Sequence, residues 1–179
     1  MNAPEYLELW EKGQAWKGLR SKRHQARLRR CAEAVAGGQT FADVGCAFGH
    51  STAILRGFCP GLWTGIDFGA RAVSRAAELF PDIRFVYRRE IDDLPALGRF
   101  DGVVCSEVIE HVEDPGALVA ALWGMTGRRL VVTTPARKVI SAGHLRTYTE
   151  EALYKLFWAP LGARIERDDH FFYVTAERD

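Results

Sequence analysis

The chain has 179 residues, 47% of them hydrophobic and 26% charged, a length that suits one domain and a composition ordinary for a globular protein. Its 24 basic and 23 acidic residues give a net charge of +1, which excludes a chain built throughout as a polyanion binder. The longest apolar runs are far too short to span a bilayer, which excludes a transmembrane protein.

The first segment, 1–38, is expected to be helical and to pack on the core that follows. Met1–Glu5 lacks the basic start and apolar stretch of a signal peptide. Tyr6, Leu7, Leu9, Trp10 and Trp16 form an aromatic-rich stretch. It either closes over a ligand and lines an acceptor site or packs on a sheet. A helix then begins at Ser21, with Leu28, Cys31, Ala32 and Val35 on one 3.6-period face and Gly37-Gly38 as its stop. Residues 17–30 hold seven basic side chains and no acid: Lys17, Arg20, Lys22, Arg23, Arg27, Arg29 and Arg30. The helical wheel puts Lys22, Arg23, Arg27, Arg29 and Arg30 opposite the apolar stripe. That face is either solvated or a patch for RNA or a phosphorylated substrate.

After Gly38, strands and helices alternate. Strands are expected at Thr40–Val44, Trp63–Ile66, Ile83–Tyr87, Gly102–Cys105, Leu130–Thr134, Ala163–Arg167 and Phe171–Ala176. Helices are expected at Ser51–Gly57, Ala70–Leu79, Pro115–Met125 and Thr149–Phe157. Asp114-Pro115 and Thr149-Glu150-Glu151 are helix-start signals. The alternation predicts a mostly parallel sheet covered on both faces. Only Asp168-Asp169-His170 separates the last two strands, so they form an antiparallel hairpin. The fold class expected is α/β, a three-layer, Rossmann-like sandwich with seven strands and a C-terminal antiparallel hairpin. The four cysteines (Cys31, Cys46, Cys59, Cys105) contain no Cys-x-x-Cys pair. That excludes a zinc ribbon and a small disulfide scaffold, and fits a reducing cytoplasm. His50 and His170 are read as a helix-start residue and an exposed turn residue.

Between the first strand and first wound helix lies Asp43-Val-Gly45-Cys-Ala-Phe-Gly49. Gly45 lets the chain reverse sharply, and Gly49 lets a ligand approach the backbone. The N–H groups of the next helix favour a polar or anionic group. Asp67, ending the second strand, is placed to accept two hydrogen bonds from a ribose diol. The alternative is an ordinary tight turn with a surface Asp67.

These residues resemble motif I and its acidic partner in class I S-adenosylmethionine-dependent methyltransferases. The resemblance covers roughly residues 38–179 and implies a methyltransferase domain over 39–179. It implies cofactor contacts at Asp43, Gly45, Cys46, Ala47, Gly49, Asp67, Phe68, Glu90, Ile91 and Ser106. Asp43 would lie near the methionine amino end and Asp67 at the ribose. Glu90 and Ile91 would read the adenine, with Asp92 a competing choice. Many family members have glycine where this chain has Ala47, and the extra methyl is expected to be tolerated.

The run from Phe100 to Pro115 resembles the fourth-strand motif of the same family. The branch that contains ubiquinone-biosynthesis O-methyltransferases and small-molecule tailoring enzymes is especially similar. Leu130–Pro135 and His144–Glu151 match that branch too. If the chain takes a helical turn after Ser106, then Glu107, Glu110 and His111 stand at i, i+3, i+4 on one face. The loop after the next strand can add His144. Two Glu and two His suit Mg²⁺, Mn²⁺, Fe²⁺ or Co²⁺. The same quartet resembles that of metal-dependent small-RNA 3′-terminal ribose 2′-O-methyltransferases. Alternatively, His111 or His144 is a metal-free general base, or all four are structural.

The expected function is methyl transfer from S-adenosylmethionine to a small-molecule acceptor, at a hydroxyl oxygen, leaving S-adenosylhomocysteine. His111 and His144 are the candidate catalytic residues. A divalent metal (Mg or Mn) would be held by Glu107, Glu110, His111 and His144. The alternatives are a metal-assisted RNA-end methyltransferase, with nucleic acid as partner, and a non-catalytic methyltransferase-like subunit. No membrane partner is expected, and the protein would be a monomer or homodimer.

Overall fold

A computed structural model describes residues 18–137 and 143–178. The aromatic stretch from Tyr6 to Trp16, Lys17 and part of the loop after Pro135 lie outside the described residues. Seven strands form one sheet: β1 (Thr40–Val44), β2 (Leu62–Asp67), β3 (Arg84–Tyr87), β4 (Phe100–Ser106), β5 (Thr126–Pro135), β6 (Arg164–Arg167) and β7 (Phe171–Glu177). Their spatial order is β3-β2-β1-β4-β5-β7-β6. The first five run parallel, and β7 is antiparallel to both β5 and β6. The expected hairpin is present, with its second strand inserted beside β5.

Helices α1 (Lys22–Val35), α2 (His50–Phe58), α3 (Ala70–Leu79) and α4 (Pro115–Gly124) connect or flank these strands. Alternation along the buried strands splits the core in two. Phe41, Trp63, Val104 and Val131 face one way, onto Leu28, Cys31 and Val35 of α1 and Leu55 of α2. Ala42, Val44, Val103 and Val132 face the other way, with Leu118 and Leu122 of α4. This is the three-layer arrangement that a sheet buried on both faces requires.

Two starts are capped as their sequences imply. Asp114 accepts from the Ala117 N–H at 2.9 Å, and Thr149 from the Ala152 N–H at 3.2 Å. Ser21 occupies the N-cap of α1 but makes no side-chain capping bond. The helix expected over Thr149–Phe157 is instead α5 (Glu150–Leu153), a π-helical turn (Tyr154–Trp158) and α6 (Ala159–Leu161). Pro160, which has no N–H to offer the carbonyl of Leu156, follows the widened turn. Strand β5 begins four residues before the expected Leu130. The register with β4 shifts between Phe100 and Gly102, and the missing Cβ of Gly127 lets the strand pass the Phe100 carbonyl. Among the described residues, no helix is long and apolar enough to cross a membrane.

Candidate functional site

At the end of β1 the chain turns back through Gly45 (φ +84°), whose N–H donates to the Ile66 carbonyl at 2.8 Å. A Cβ at Gly45 would stand 2.2 Å from Val108 Cγ2, so the turn packs directly on the segment after β4. Ala47 takes φ +46°, a left-handed conformation that costs an L residue about 1 kcal/mol. That geometry is the physical reason glycine suits this position. Gly49 (φ +80°) caps α2. A Cβ there would lie 2.6 Å from the Phe85 ring and 3.1 Å from Ala76. Its missing side chain makes room for Phe85, a reason for glycine that the sequence reading did not include.

Asp67 ends β2 and is fixed by two backbone donors. The Ala47 N–H reaches Oδ2 at 2.8 Å and the Gly69 N–H reaches Oδ1 at 2.8 Å. Burial raises its pKa against those hydrogen bonds. Asp43 is only 2% exposed, and its Oδ2 accepts from Ser51 and Thr52 hydroxyls at 2.7 Å each. Burial pushes its carboxyl up to about 6, partly offset by the two hydroxyls. Cys46 is buried, its sulfur over Gly65, and burial raises its thiol far above the ordinary range. It can contribute backbone to a ligand, whereas its thiol belongs to the core.

A cleft of about 340 Å³ is lined by residues that include Phe68, Glu90, Ile91, His111 and Val112, while the glycine turn and Asp67 are not part of its lining. It brings together residues expected at the adenine with one expected at the reacting end. Glu90 is exposed and pairs with Arg89 at 3.3 Å. Asp92 is absent from the lining. Ser106, at the end of β4, shares a 2.8 Å hydrogen bond with the Thr133 hydroxyl of β5.

The acid–histidine cluster departs from the expected face. Glu107 sits at φ +61°, and the helical turn, a 3₁₀ turn, covers only Ile109–His111. Glu107 is thereby rotated away from the i, i+3, i+4 set. It pairs with Arg27 at 3.2 Å and accepts from Thr133 Oγ1 at 3.3 Å. Glu110, His111 and His144 do converge, with ligand atoms within 4.8 Å of one another. Glu110 is 1% exposed. Its Oε2 accepts from the Thr134 hydroxyl at 3.2 Å, while Oε1 has no partner. Burial, then the Glu107 charge, push its carboxyl well up.

The His111 Nδ1–H donates to the Gly143 carbonyl at 2.8 Å. A carbonyl only accepts, so the tautomer is fixed and Nε2 is the basic nitrogen. The His111 and His144 rings meet edge to face, centroids 4.5 Å apart. Burial lowers both pKa values, which keeps the imidazoles neutral at neutral pH. The loop that carries His144 is tied down by the Leu145 N–H, which donates to the Glu110 carbonyl at 2.9 Å.

The expected solvated face of α1 is present at Lys22, Arg23 and Arg29, which are exposed, and is corrected at Arg27 and Arg30. Arg27 is only 3% exposed, inserted between Glu107 and the Phe171 ring, whose centroid is 4.7 Å from the guanidinium. Arg30 pairs with Glu166 at 2.9 Å and lies over Tyr173. Arg27 adjoins Leu28, at the border of the apolar stripe, which is the one signal that could have separated it from its exposed neighbours. Thr133 and Thr134 lie in the run Leu130–Pro135 that carries the resemblance, but nothing in it pointed to their contacts with the acids, and Phe171, which contacts Arg27, carried no sequence signal beyond being a strand residue.

Residues 42–127 match a family model described as a methyltransferase domain. A ubiquinone biosynthesis O-methyltransferase of Pseudomonas paraeruginosa is 36% identical over 93 residues, 47% of this chain and 38% of that relative. The matched stretch thus spans well under half the length of the curated relatives. The magnesium protoporphyrin IX methyltransferase of Synechocystis, solved with bound S-adenosylhomocysteine, superposes with a TM-score of 0.66 at 20% identity, covering 87% of this chain and 84% of that one. An N-methyltransferase of Bradyrhizobium japonicum, in complex with the same molecule, gives 0.68 at 20% identity, covering 88% and 86%. At such identities the solved structures speak for the fold alone, and the fold they share is this one.

Proposed function

We propose that this chain is a class I S-adenosylmethionine-dependent methyltransferase that transfers a methyl group to a hydroxyl oxygen of a small-molecule acceptor, a reading supported by its match to a methyltransferase domain model and by its fold. One observation carries the reading: Phe68, Glu90, Ile91 and His111 line a single cleft, and Phe68 directly follows Asp67, which is held to the glycine turn. Bound S-adenosylmethionine supplies a methyl group already activated on a sulfonium. What remains for the protein is positioning, exclusion of water and removal of the acceptor's proton.

Asp67, held by two N–H groups, presents its remaining lone pairs to the ribose diol. Glu90 and the Ile91 N–H address the adenine edge, and Phe68 packs beside it. Asp43 orders the turn through Ser51 and Thr52 and supplies negative charge for the methionine amino end. His111 Nε2 accepts the hydroxyl proton. Its neutral state at neutral pH and its fixed tautomer both suit that role. His144 packs edge to face on His111 and holds its ring. His111→Gln is expected to lower kcat about 10²–10⁴-fold and to leave S-adenosylhomocysteine affinity unchanged. Methyl incorporation with a panel of hydroxyl acceptors and calorimetry measure the two. Unaltered kcat would remove His111 as the base.

A second reading, metal-assisted methylation of an RNA 3′-terminal ribose, is favoured by the orphaned Glu110 Oε1 beside two histidines. Glu110, His111 and His144 fit a divalent ion with mixed N/O ligands. Glu107, committed to Arg27, does not join them. Such an ion would make a bound hydroxyl more acidic. Against this reading, two of the basic residues offered for RNA are used within the chain. The metal-free reading predicts full methyl transfer in EDTA. Loss in EDTA with recovery in Mn²⁺ or Mg²⁺ would favour the second.

A further inference from the structure

Four buried polar atoms on three residues at the start of α1 have no hydrogen-bond partner: Ser21 Oγ, His24 Nδ1, and Nε and Nη1 of Arg27, whose Nη1 has only its ion-pair contact with Glu107. They recur at i, i+3 and i+6, so one side of the helix start carries them all. Phe171 backs the group. The Arg27 guanidinium lies 4.7 Å from its ring centroid, and the His24 ring 5.4 Å. Phe171 pairs with Pro135, the last residue of β5. The group therefore sits at the carboxyl edge of the parallel strands, the edge that carries the cleft and the histidines.

Its charge is one-sided. A helix N-terminus favours acids, yet α1 has none in its first turn. Arg29 and Arg30 are paired with Glu33 and Glu166. Lys22 and Arg23 make no ion pair among the described residues. Burial, with Arg27, Arg23 and His170 as positive neighbours, lowers the His24 pKa to about 4. The nearby acids are already engaged. Glu107 holds Arg27 through Nη1, and Asp168 accepts from its own turn and from the Tyr173 hydroxyl. Buried groups able to donate and left without acceptors, under unpaired positive charge, are complementary to an oxyanion.

We propose that this end of α1 receives the anionic group, a carboxylate or phosphate, of the methyl acceptor, which is therefore an anionic hydroxy compound. Ser21, His24 and Arg27 Nε supply the donors; Lys22 and Arg23 supply the charge. The inference rests on the methyl-transfer reading and adds the class of acceptor to it.

The test measures binding of benzoate, phenyl phosphate and benzyl alcohol to the protein with and without saturating S-adenosylhomocysteine, whose own affinity is measured in parallel. At least one anion is expected to bind about tenfold or more tighter than benzyl alcohol. Arg23→Glu, at an exposed position, and His24→Phe are each expected to erase most of that preference while S-adenosylhomocysteine affinity stays within about twofold. Three results would overturn the proposal: no preference for the anions, a preference that survives both variants, or displacement of the anions by S-adenosylhomocysteine, which would place them in the cofactor's own site. A wild-type protein that fails to bind S-adenosylhomocysteine would remove the methyl-transfer reading instead, and the anion preference of the free protein would still decide this one.

Discussion

Asp43 carries a carboxylate with almost no contact with solvent, held by two hydroxyls on one oxygen. Its folded pKa of about 6 lies above the ordinary 3.8. The folded chain therefore binds this proton more tightly than the unfolded chain, and stability falls as pH rises from about 4 through 6. Asp43→Asn keeps an acceptor for Ser51 and Thr52 and removes the buried charge. Near pH 7.5 the variant is expected to be more stable by about 1–3 kcal/mol, with the gain vanishing near pH 4.5. Denaturant titrations at the two pH values measure this. A variant weaker than wild type at both would show that the hydroxyls stabilise the anion more than burial destabilises it. A charge retained at such a position fits a ligand's ammonium group better than it fits stability.

Helix α1 ties the acid cluster to the rest of the sheet. Leu28, Cys31 and Val35 seat it on β4 and β5, and Arg27 spans from Glu107 to Phe171. Arg27→Met leaves Glu107 charged, mostly buried and unpaired, and is expected to cost about 3 kcal/mol. The double variant Arg27→Met/Glu107→Gln should recover most of that in the same denaturant titration. A double variant no more stable than the single one would mean that packing on Phe171, rather than the ion pair, holds the helix.

The elements also show where residue types reveal structure and where they do not. An apolar stripe at helical spacing is a strong signal, and Leu28, Cys31 and Val35 are enough to place α1. The glycine turn, Asp67 and the strand alternation likewise mark the sheet and the edge that carries the candidate site. Glu107 escapes a reading by spacing, because a left-handed glutamate breaks the regular turn that spacing presupposes. Arg27 escapes it because a helical wheel assigns charge to solvent, whereas its partners, Glu107 and Phe171, are distant in sequence. The widened turn at Tyr154–Trp158 follows from backbone hydrogen bonding that residue types alone do not encode.

Across the whole molecule, the strand order reverses between β1 and β4. In an open α/β sheet, that reversal opens a crevice at the carboxyl ends of the strands, where ligands bind. Here Gly45 ends β1 against Val108, just after β4. Asp67 ends the neighbouring β2, and the histidines follow β4 and β5. The topology thus brings the glycine turn, Asp67 and the two histidines to one edge, though they are scattered over a hundred positions or so in the chain.

The central claim is that this edge holds an adenosyl amino acid. Calorimetric titration of S-adenosylhomocysteine into wild type and Asp67→Ala tests it most directly. One molecule should bind per chain, and the variant should bind more weakly by about 1.5–3 kcal/mol, roughly 10- to 150-fold in Kd. Absence of binding at millimolar ligand, or equal affinity in the two proteins, would contradict the account.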